Sequence, residues 1–186
     1  MSDALDCDVV IAETTRWIEH AVIGLNLCPF AKAVHAKGQI RYVVCLADSS
    51  DALLVAILDE LQTLSTTDAK VTDTTLLIHP NALTDFLDYN DFLGVADAAV
   101  IELGLESLLQ IASFHPQYQF ADTAPDDITN FTNRSPYPTL HILREASVTR
   151  AVAAFPEAGN IFEKNIETMS RLGHAGWDEL SCTRKS

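Results

Sequence analysis

Apolar residues near the start of the chain recur every three or four positions, which is the period of an amphipathic helix. Within residues 8–25 these positions are Val9, Val10, Trp17, Ile18, Ala21, Val22 and Leu25. A shorter helical piece follows and ends at Lys37-Gly38, where glycine is a fitting C-terminal stop. The pattern predicts an N-terminal helical segment with one face in the core.

A strand and a helix are predicted next. The β-branched and aromatic run at residues 40–46 is typical of a buried strand. Asp48-Ser49-Ser50 then offers caps for a helix whose apolar residues repeat at three and four. A second strand is predicted at Thr74–Ile78, so this part of the chain forms one strand–helix–strand unit.

A second unit of the same kind follows. The strand at Thr74–Ile78 ends at His79-Pro80, residues 82–103 predict one or two helices, and a third strand at residues 108–114 ends at His115-Pro116. Such crossovers are right-handed and join parallel strands. They predict a small, mainly parallel sheet covered by helices.

The remaining chain is a long polar loop followed by helical patterns. Residues 117–138 are polar and interrupted by prolines, and a loop of this length in a compact domain is more often functional than idle. Residues 139–143 fit either a helix, which the pattern slightly favours, or a fourth strand. Ser147 is predicted to cap one helix, and residues 159–172 predict another. The fold class is therefore α/β, with residues 1–186 forming a single domain.

The net charge and the cysteine pattern indicate which classes of partner and which cellular compartment to expect. The 12 basic and 26 acidic residues give a net charge of −14, which repels nucleic acid and anionic membranes. No run of roughly 18 apolar residues predicts a membrane helix, and the first 15 residues lack the basic start of a signal peptide. The four cysteines form no CxxC pair. We expect a cytoplasmic protein with free thiols.

Histidines supply the strongest candidate chemistry. His79 and His115 end neighbouring strands, and ligand sites of parallel sheets lie beyond the carboxyl ends of the strands. His141 and Glu145 are spaced i,i+4, which on a helix places an imidazole and a carboxylate on one face. His79, His115 and His141 would suit zinc or another divalent first-row metal, with Glu145 as fourth ligand or general base. His115, His141 and Glu145 are equally candidates for metal-free acid–base catalysis, while strand termination and core packing remain the structural alternative.

Polar residues near the long loop suggest a second kind of site. The residues are Asn130, Asn133, Arg134, Ser135, Tyr137 and Arg144. Amides, hydroxyls and two guanidinium groups in an acidic protein suit a small anionic ligand, because arginine forms charge-assisted bonds to carboxylate and phosphate. The alternative is that these side chains cap turns and helices or pair with internal acids.

Cys28 precedes Pro29 at a predicted helix start, where the helix dipole would favour a reactive thiolate. A nucleophilic Cys28, with His115 or His141 as its base, would need no metal. The apolar neighbours Leu27 and Phe30 oppose this role, since burial raises a thiol pKa. We expect Cys28 to be an inert packing residue.

Three long segments carry a family resemblance. They are Gly24-Leu25-Asn26-Leu27-Cys28-Pro29-Phe30, Ala112-Ser113-Phe114-His115-Pro116-Gln117-Tyr118-Gln119-Phe120 and Asn133-Arg134-Ser135-Pro136-Tyr137-Pro138-Thr139-Leu140-His141. They resemble the family of domain of unknown function 1415 over nearly the whole chain. The resemblance implies a bacterial-type cytosolic protein of one domain, and it carries over no catalytic residues.

Two functional hypotheses follow from the residues. The first is a small-molecule enzyme, such as a metal-assisted hydrolase or lyase, with a histidine-rich site at the carboxyl edge of the strands. The second is a non-catalytic protein that binds a small anion through Arg134 and Arg144. The second needs no convergence of the histidines.

Overall fold

The computed structural model describes residues 5–154, 160–180 and 182. The strands are β1 (Ile40–Val44), β2 (Thr74–Ile78), β3 (Leu109–Phe114) and β4 (Thr139–Arg144). The α-helices are α1 (Cys7–Trp17), α2 (Ala31–Ala36), α3 (Ser50–Thr66), α4 (Phe86–Glu102), α5 (Glu145–Ala154) and α6 (Ile161–Glu179). Helix α1 continues as π-helical turns over Ile18–Ile23, and a 3-10 helix covers Ile128–Asn133.

The sheet has the strand order β1-β2-β4-β3. Strand β1 pairs with β2 in parallel, and β4 pairs antiparallel with both β2 and β3. The mixed α/β class, the helical cover and the N-terminal helix are confirmed. The mainly parallel pairing is wrong: β1, β2 and β3 share one direction, but β4 lies between β2 and β3 in the opposite direction, so two of the three pairings are antiparallel.

Residues 139–143 belong to a strand, so the slight preference for a helix there is wrong. Leu140 and Ile142 are fully buried on one face of the sheet, while His141 between them lies on the other. This alternation has the period of two that a strand requires. Partners on both sides decide the outcome, because a central position in the sheet satisfies the backbone groups of a short apolar run.

Each face of the sheet carries its own core. Helices α3 and α4 cover one face, where Leu77 and Leu140 pack with residues such as Leu53 and Tyr89. The N-terminal helix and α6 cover the other face. There Leu76, Ile78 and Trp17 pack with Met169 and Trp177. Alternation along each strand therefore determines which helical layer a side chain meets.

Helix ends follow local sequence signals in most cases. Ser49 caps α3 by accepting a bond from the Ala52 amide, and Gly38 ends α2 with a φ of 64°, a conformation that suits glycine. Ser147 is not a cap: α5 begins at Glu145, and the Ser147 hydroxyl donates to Asp73 Oδ1 at 2.6 Å.

The C-terminal helix differs from its prediction in length and shape. The helix predicted over 159–172 is α6, which extends to Glu179, and residue 159 lies outside the described residues. Gly173 interrupts α6 with φ 64° and ψ 176° and kinks it. The segment after the kink packs on the 3-10 helix, where Trp177 and His174 contact Phe131.

Candidate functional site

His79 and His115 lie side by side at the carboxyl ends of β2 and β3. Both side chains are fully buried on the α4 face of the sheet. Their rings contact the same phenol, with centroids 5.8 Å and 5.0 Å from that of Tyr89. Strands of one direction bring their ends to one edge, so these two of the three predicted histidines come together.

Hydrogen bonds determine which ring nitrogen carries the proton in each of these two imidazoles. His79 Nδ1 lies 2.9 Å from the Ala82 carbonyl and therefore donates, which leaves Nε2 unprotonated and, among the described residues, without a partner. His115 Nδ1 accepts from the Gln117 amide, so its Nε2–H donates to the Leu83 carbonyl. Burial lowers the pKa of His79 to about 4 and also lowers the pKa of His115. Both rings are neutral at pH 7.

His141 lies on the opposite face of the sheet from these two rings. Its Nε2 is 2.6 Å from Thr74 Oγ1, and its ring is 6.1 Å from that of Phe114. Burial lowers the pKa of His141 to about 4. Because β4 is a strand, the helical i,i+4 relation to Glu145 does not apply, and Glu145 begins α5.

The predicted convergence of His79, His115 and His141 is therefore wrong. Within the described residues no group of three or more His, Cys, Asp or Glu side chains is arranged to hold a metal ion. The alternation of side chains along a strand explains why the three imidazoles are apart. His141 lies on the face covered by the N-terminal helix and α6, and His79 and His115 lie on the face covered by α4. The zinc-type site predicted from these residues does not assemble.

Arg144 serves the fold rather than an open site. Its Nη2 donates to the carbonyls of Leu64, Thr67 and Thr72, at 2.8, 2.6 and 3.0 Å. Its Nε donates to Thr72 as well. Leu64 is in the last turn of α3, so Arg144 caps the carbonyl end of that helix, where a cation is favoured.

The amides and hydroxyls of the predicted ligand set also bind protein groups. Asn130 is fully buried: its Oδ1 accepts from the Phe120 amide and the Thr123 hydroxyl, and its Nδ2 donates to the Ala124 carbonyl. The others bind as follows: Asn133 Nδ2 to the Ser113 carbonyl, Ser135 Oγ to the Tyr137 carbonyl, and Tyr137 Oη to Glu13 Oε2. These four side chains hold the long loop in place.

Arg134 differs from the rest of the set. It donates to two neutral carbonyls, those of Tyr118 (3.2 Å) and Pro125 (2.6 Å). Its guanidinium carbon lies 4.1 Å from the centre of the Phe131 ring, a cation–π contact. It forms no salt bridge with any described residue. Partial burial lowers its pKa, and no acid among the described residues opposes this effect.

A cavity of about 170 Å³ lies against this arginine. Its lining comprises Pro116, Phe131, Arg134, Ser135, Pro136, Trp177 and Cys182. Pro116 directly follows His115, so the cavity is at the carboxyl edge of β3. Trp177 and Cys182 come from the end of the chain, and no local sequence signal linked them to the loop 50 residues earlier.

The electrostatic character of the cavity is that of a hydrogen-bond donor site. Among the described residues, Arg134 is the one charged residue that lines it. Trp177 is 1% exposed, and its Nε1–H has no partner among the described residues. Burial raises the pKa of Cys182 to about 11, so this thiol is neutral and adds no negative charge. The cavity therefore combines one cation with largely apolar walls, while the unpaired indole N–H of Trp177 is enclosed by protein atoms.

Cys28 lies outside this cavity lining and is half-buried. Burial raises its thiol pKa by more than the amides of Phe30 and Ala31 lower it. This direction agrees with a packing role and disfavours a thiolate near neutral pH.

Comparison with known proteins gives one match. The model of a family described as "Protein of unknown function (DUF1415)" matches residues 9–179. No curated protein and no solved structure matches the chain. Across the described ranges, every helix is too short or too polar to cross a membrane.

Proposed function

The chain belongs to the DUF1415 family, and we propose from its geometry that the protein binds a small anionic molecule in the cavity beside Arg134. The observation that carries this proposal is a partly buried guanidinium with no acidic partner among the described residues. The chain has 26 acidic residues, so many carboxylates are present that could form a salt bridge with an arginine. The charge of Arg134 is instead left available at a cavity.

The free energy cost of removing an unpaired charge from water supports this interpretation. A partly desolvated cation is unfavourable unless hydrogen bonds or an opposite charge compensate it. The carbonyls of Tyr118 and Pro125 compensate Arg134 in part and also fix its position. A bound anion would supply the missing charge and meet a guanidinium that is already oriented, which reduces the entropy lost on binding.

The proposed compartment is the cytoplasm, and the proposed partner is a small molecule. Cys7, Cys28, Cys45 and Cys182 are free thiols, which are typical of a reducing compartment. The net charge of −14 disfavours nucleic acid and anionic membranes but leaves a small anion able to enter a locally positive cavity.

The test is a thermal-shift screen with acetate, benzoate and inorganic phosphate on the wild type, Arg134→Gln and Arg150→Gln. Arg150 is an exposed arginine and serves as the control. At least one anion is expected to raise the Tm of the wild type and of R150Q, because ligand binding stabilises the native state. In R134Q the affinity is expected to fall at least about tenfold, as for loss of a charge-assisted bond. Equal shifts in R134Q, or no shift with any anion, would contradict the proposal.

A second function, metal-free acid–base catalysis on a small molecule, is favoured by His79. Its Nε2 is a buried lone pair without a partner among the described residues, beside His115 and Tyr89. We propose His79 as the general base of a hydrolase or lyase whose substrate enters from the same sheet edge. The ring is neutral at pH 7 and can accept a proton, and its pKa of about 4 makes it a weak base.

This second proposal is tested with p-nitrophenyl acetate and p-nitrophenyl phosphate. Turnover by the wild type is expected to fall at least about 100-fold in His79→Gln, the usual effect of losing a general base. His35→Gln, at a partly exposed position on α2, is the control and is expected to retain turnover. A wild type without turnover, or an active H79Q, counts against catalysis and leaves the binding proposal standing.

A further inference from the structure

We infer that the ligand of the Arg134 cavity is a small aromatic carboxylate, with one carboxylate group and a flat apolar body about the size of one ring. This inference rests on the proposed anion binding and specifies its chemistry. Three properties of the cavity support it: its volume, its apolar walls and its small number of hydrogen-bond donors.

The volume of the cavity matches about one ring. The cavity measures about 170 Å³. An apolar cavity of about 150 Å³ holds benzene, whereas pockets for drug-sized ligands span roughly 300–1,000 Å³. A single ring with one small substituent therefore fits the enclosed part of the cavity, and a larger ligand would extend into solvent.

The walls favour an apolar body over a compact polar anion. Two prolines, Pro116 and Pro136, line the cavity together with the rings of Phe131 and Trp177. These two rings meet edge to face, with centroids 5.3 Å apart, and aromatic ligands pack favourably on such surfaces. Inorganic phosphate would leave most of its oxygens facing these apolar groups, which is costly.

The donors suit a carboxylate. A guanidinium has five N–H groups, and Arg134 uses two of its own for the Tyr118 and Pro125 carbonyls, which leaves three. Trp177 Nε1–H has no partner among the described residues, but it is enclosed by protein atoms and is not counted as a donor to the cavity. Ser135 adds no donor, since its hydroxyl binds the Tyr137 carbonyl at 2.6 Å. Two carboxylate oxygens match the N–H groups that Arg134 has left.

The experiment compares benzoate with three probes that each change one property. Benzamide keeps the ring without the charge, acetate keeps the charge without the ring, and inorganic phosphate is a compact polar anion. Saturation-transfer and chemical-shift NMR titrations on the wild-type protein measure each Kd. Benzoate is expected to bind with a Kd below about 1 mM, and each of the other three at least about tenfold more weakly.

Variants assign the contacts. Arg134→Gln is expected to weaken benzoate binding at least about tenfold, and Trp177→Leu, which removes one aromatic wall, at least about threefold. Trp17→Phe changes the other tryptophan, in the core against Phe114, and is the control expected to keep the wild-type Kd. It also leaves Trp177 as the one tryptophan, so quenching of its fluorescence by benzoate is an independent readout.

The outcomes separate the two levels of the proposal. Phosphate or acetate binding as tightly as benzoate, with Arg134 required, would overturn the aromatic carboxylate and keep anion binding. Equal binding of benzamide would overturn the need for charge. If none of the anions binds to the folded wild type, both the ligand class and the proposed function are wrong.

Discussion

Replacement of Arg144 by methionine is expected to lower the free energy of unfolding by about 3 kcal/mol. The substitution removes the bonds to the Leu64, Thr67 and Thr72 carbonyls, and a hydrogen bond to a charged donor contributes about 1.5–3 kcal/mol. It also removes a cation from the carbonyl end of α3, which is favoured there by about 0.3–1 kcal/mol. Methionine keeps much of the side-chain volume, so the loss reports the bonds rather than a cavity. Urea unfolding followed by circular dichroism measures it.

Arg150→Met is the matched control for this prediction. Arg150 is 66% exposed and lies 4.0 Å from Asp73, and an exposed ion pair of this kind contributes about 0–1 kcal/mol. Arg144→Lys separates charge from geometry, since lysine retains the cation but lacks the planar fork that reaches several carbonyls, so an intermediate loss is expected. A stability of R144M within about 0.5 kcal/mol of the wild type would show that the cap is unimportant.

Acid is expected to destabilise the protein between pH 6.5 and about pH 4, through its buried histidines. The pKa values of His79 and His141 are lowered to about 4 in the folded state, below the ordinary value of 6.5 that applies to the unfolded chain. Above pH 6.5 neither state holds the proton. As the pH falls through 6.5 the unfolded state binds it and the folded state does not, so stability declines until the folded pKa is reached.

The His79→Gln variant isolates one of these protons. Between pH 7 and pH 5 the wild type is expected to lose roughly 2 kcal/mol more stability than H79Q, as the linkage relation gives for this pair of pKa values. Leu77→Ala, on β2 two residues before His79 and on the same face of the sheet, is the control, since it lowers stability at every pH without removing a titrating group. An identical pH dependence in H79Q and the wild type would show that His79 titrates normally in the folded protein.

Local sequence signals were sufficient where short-range physics decides the structure. Apolar periods of three to four predicted the long helices, and proline after His79 and His115 marked the ends of two strands. The common direction of these strands then placed both imidazoles at one edge. All of these inferences depend on interactions within one element or one crossover unit.

Contacts with residues distant in sequence decided the assignments that local sequence patterns left open. Residues 139–143 have no intrinsic preference strong enough to separate helix from strand, and their partners lie as far away as Thr74. The same assignment explains the position of His141. A helix would have placed His141 and Glu145 on one face, whereas successive residues of a strand point to opposite faces. The predicted ligand residues were misinterpreted for a related reason, because backbone groups outside regular structure need internal partners. Asn130 supplies such partners within the long loop, and Arg144 supplies them at the carbonyl end of α3.

The position of β4 also constrains the order in which the sheet can assemble. Within the part of the chain that the structure describes, β3 pairs with β4 alone, and β4 is the last strand. During synthesis β1 and β2 can pair early, but β3 has no neighbour until residues 139–144 have left the ribosome. The central strand β4 is therefore added last, and it joins residues as distant in sequence as Thr74 and Leu143. Contacts between such distant residues slow folding. Until that closure, the emerging chain holds an apolar strand without a partner, and chaperones are suited to protecting such a segment.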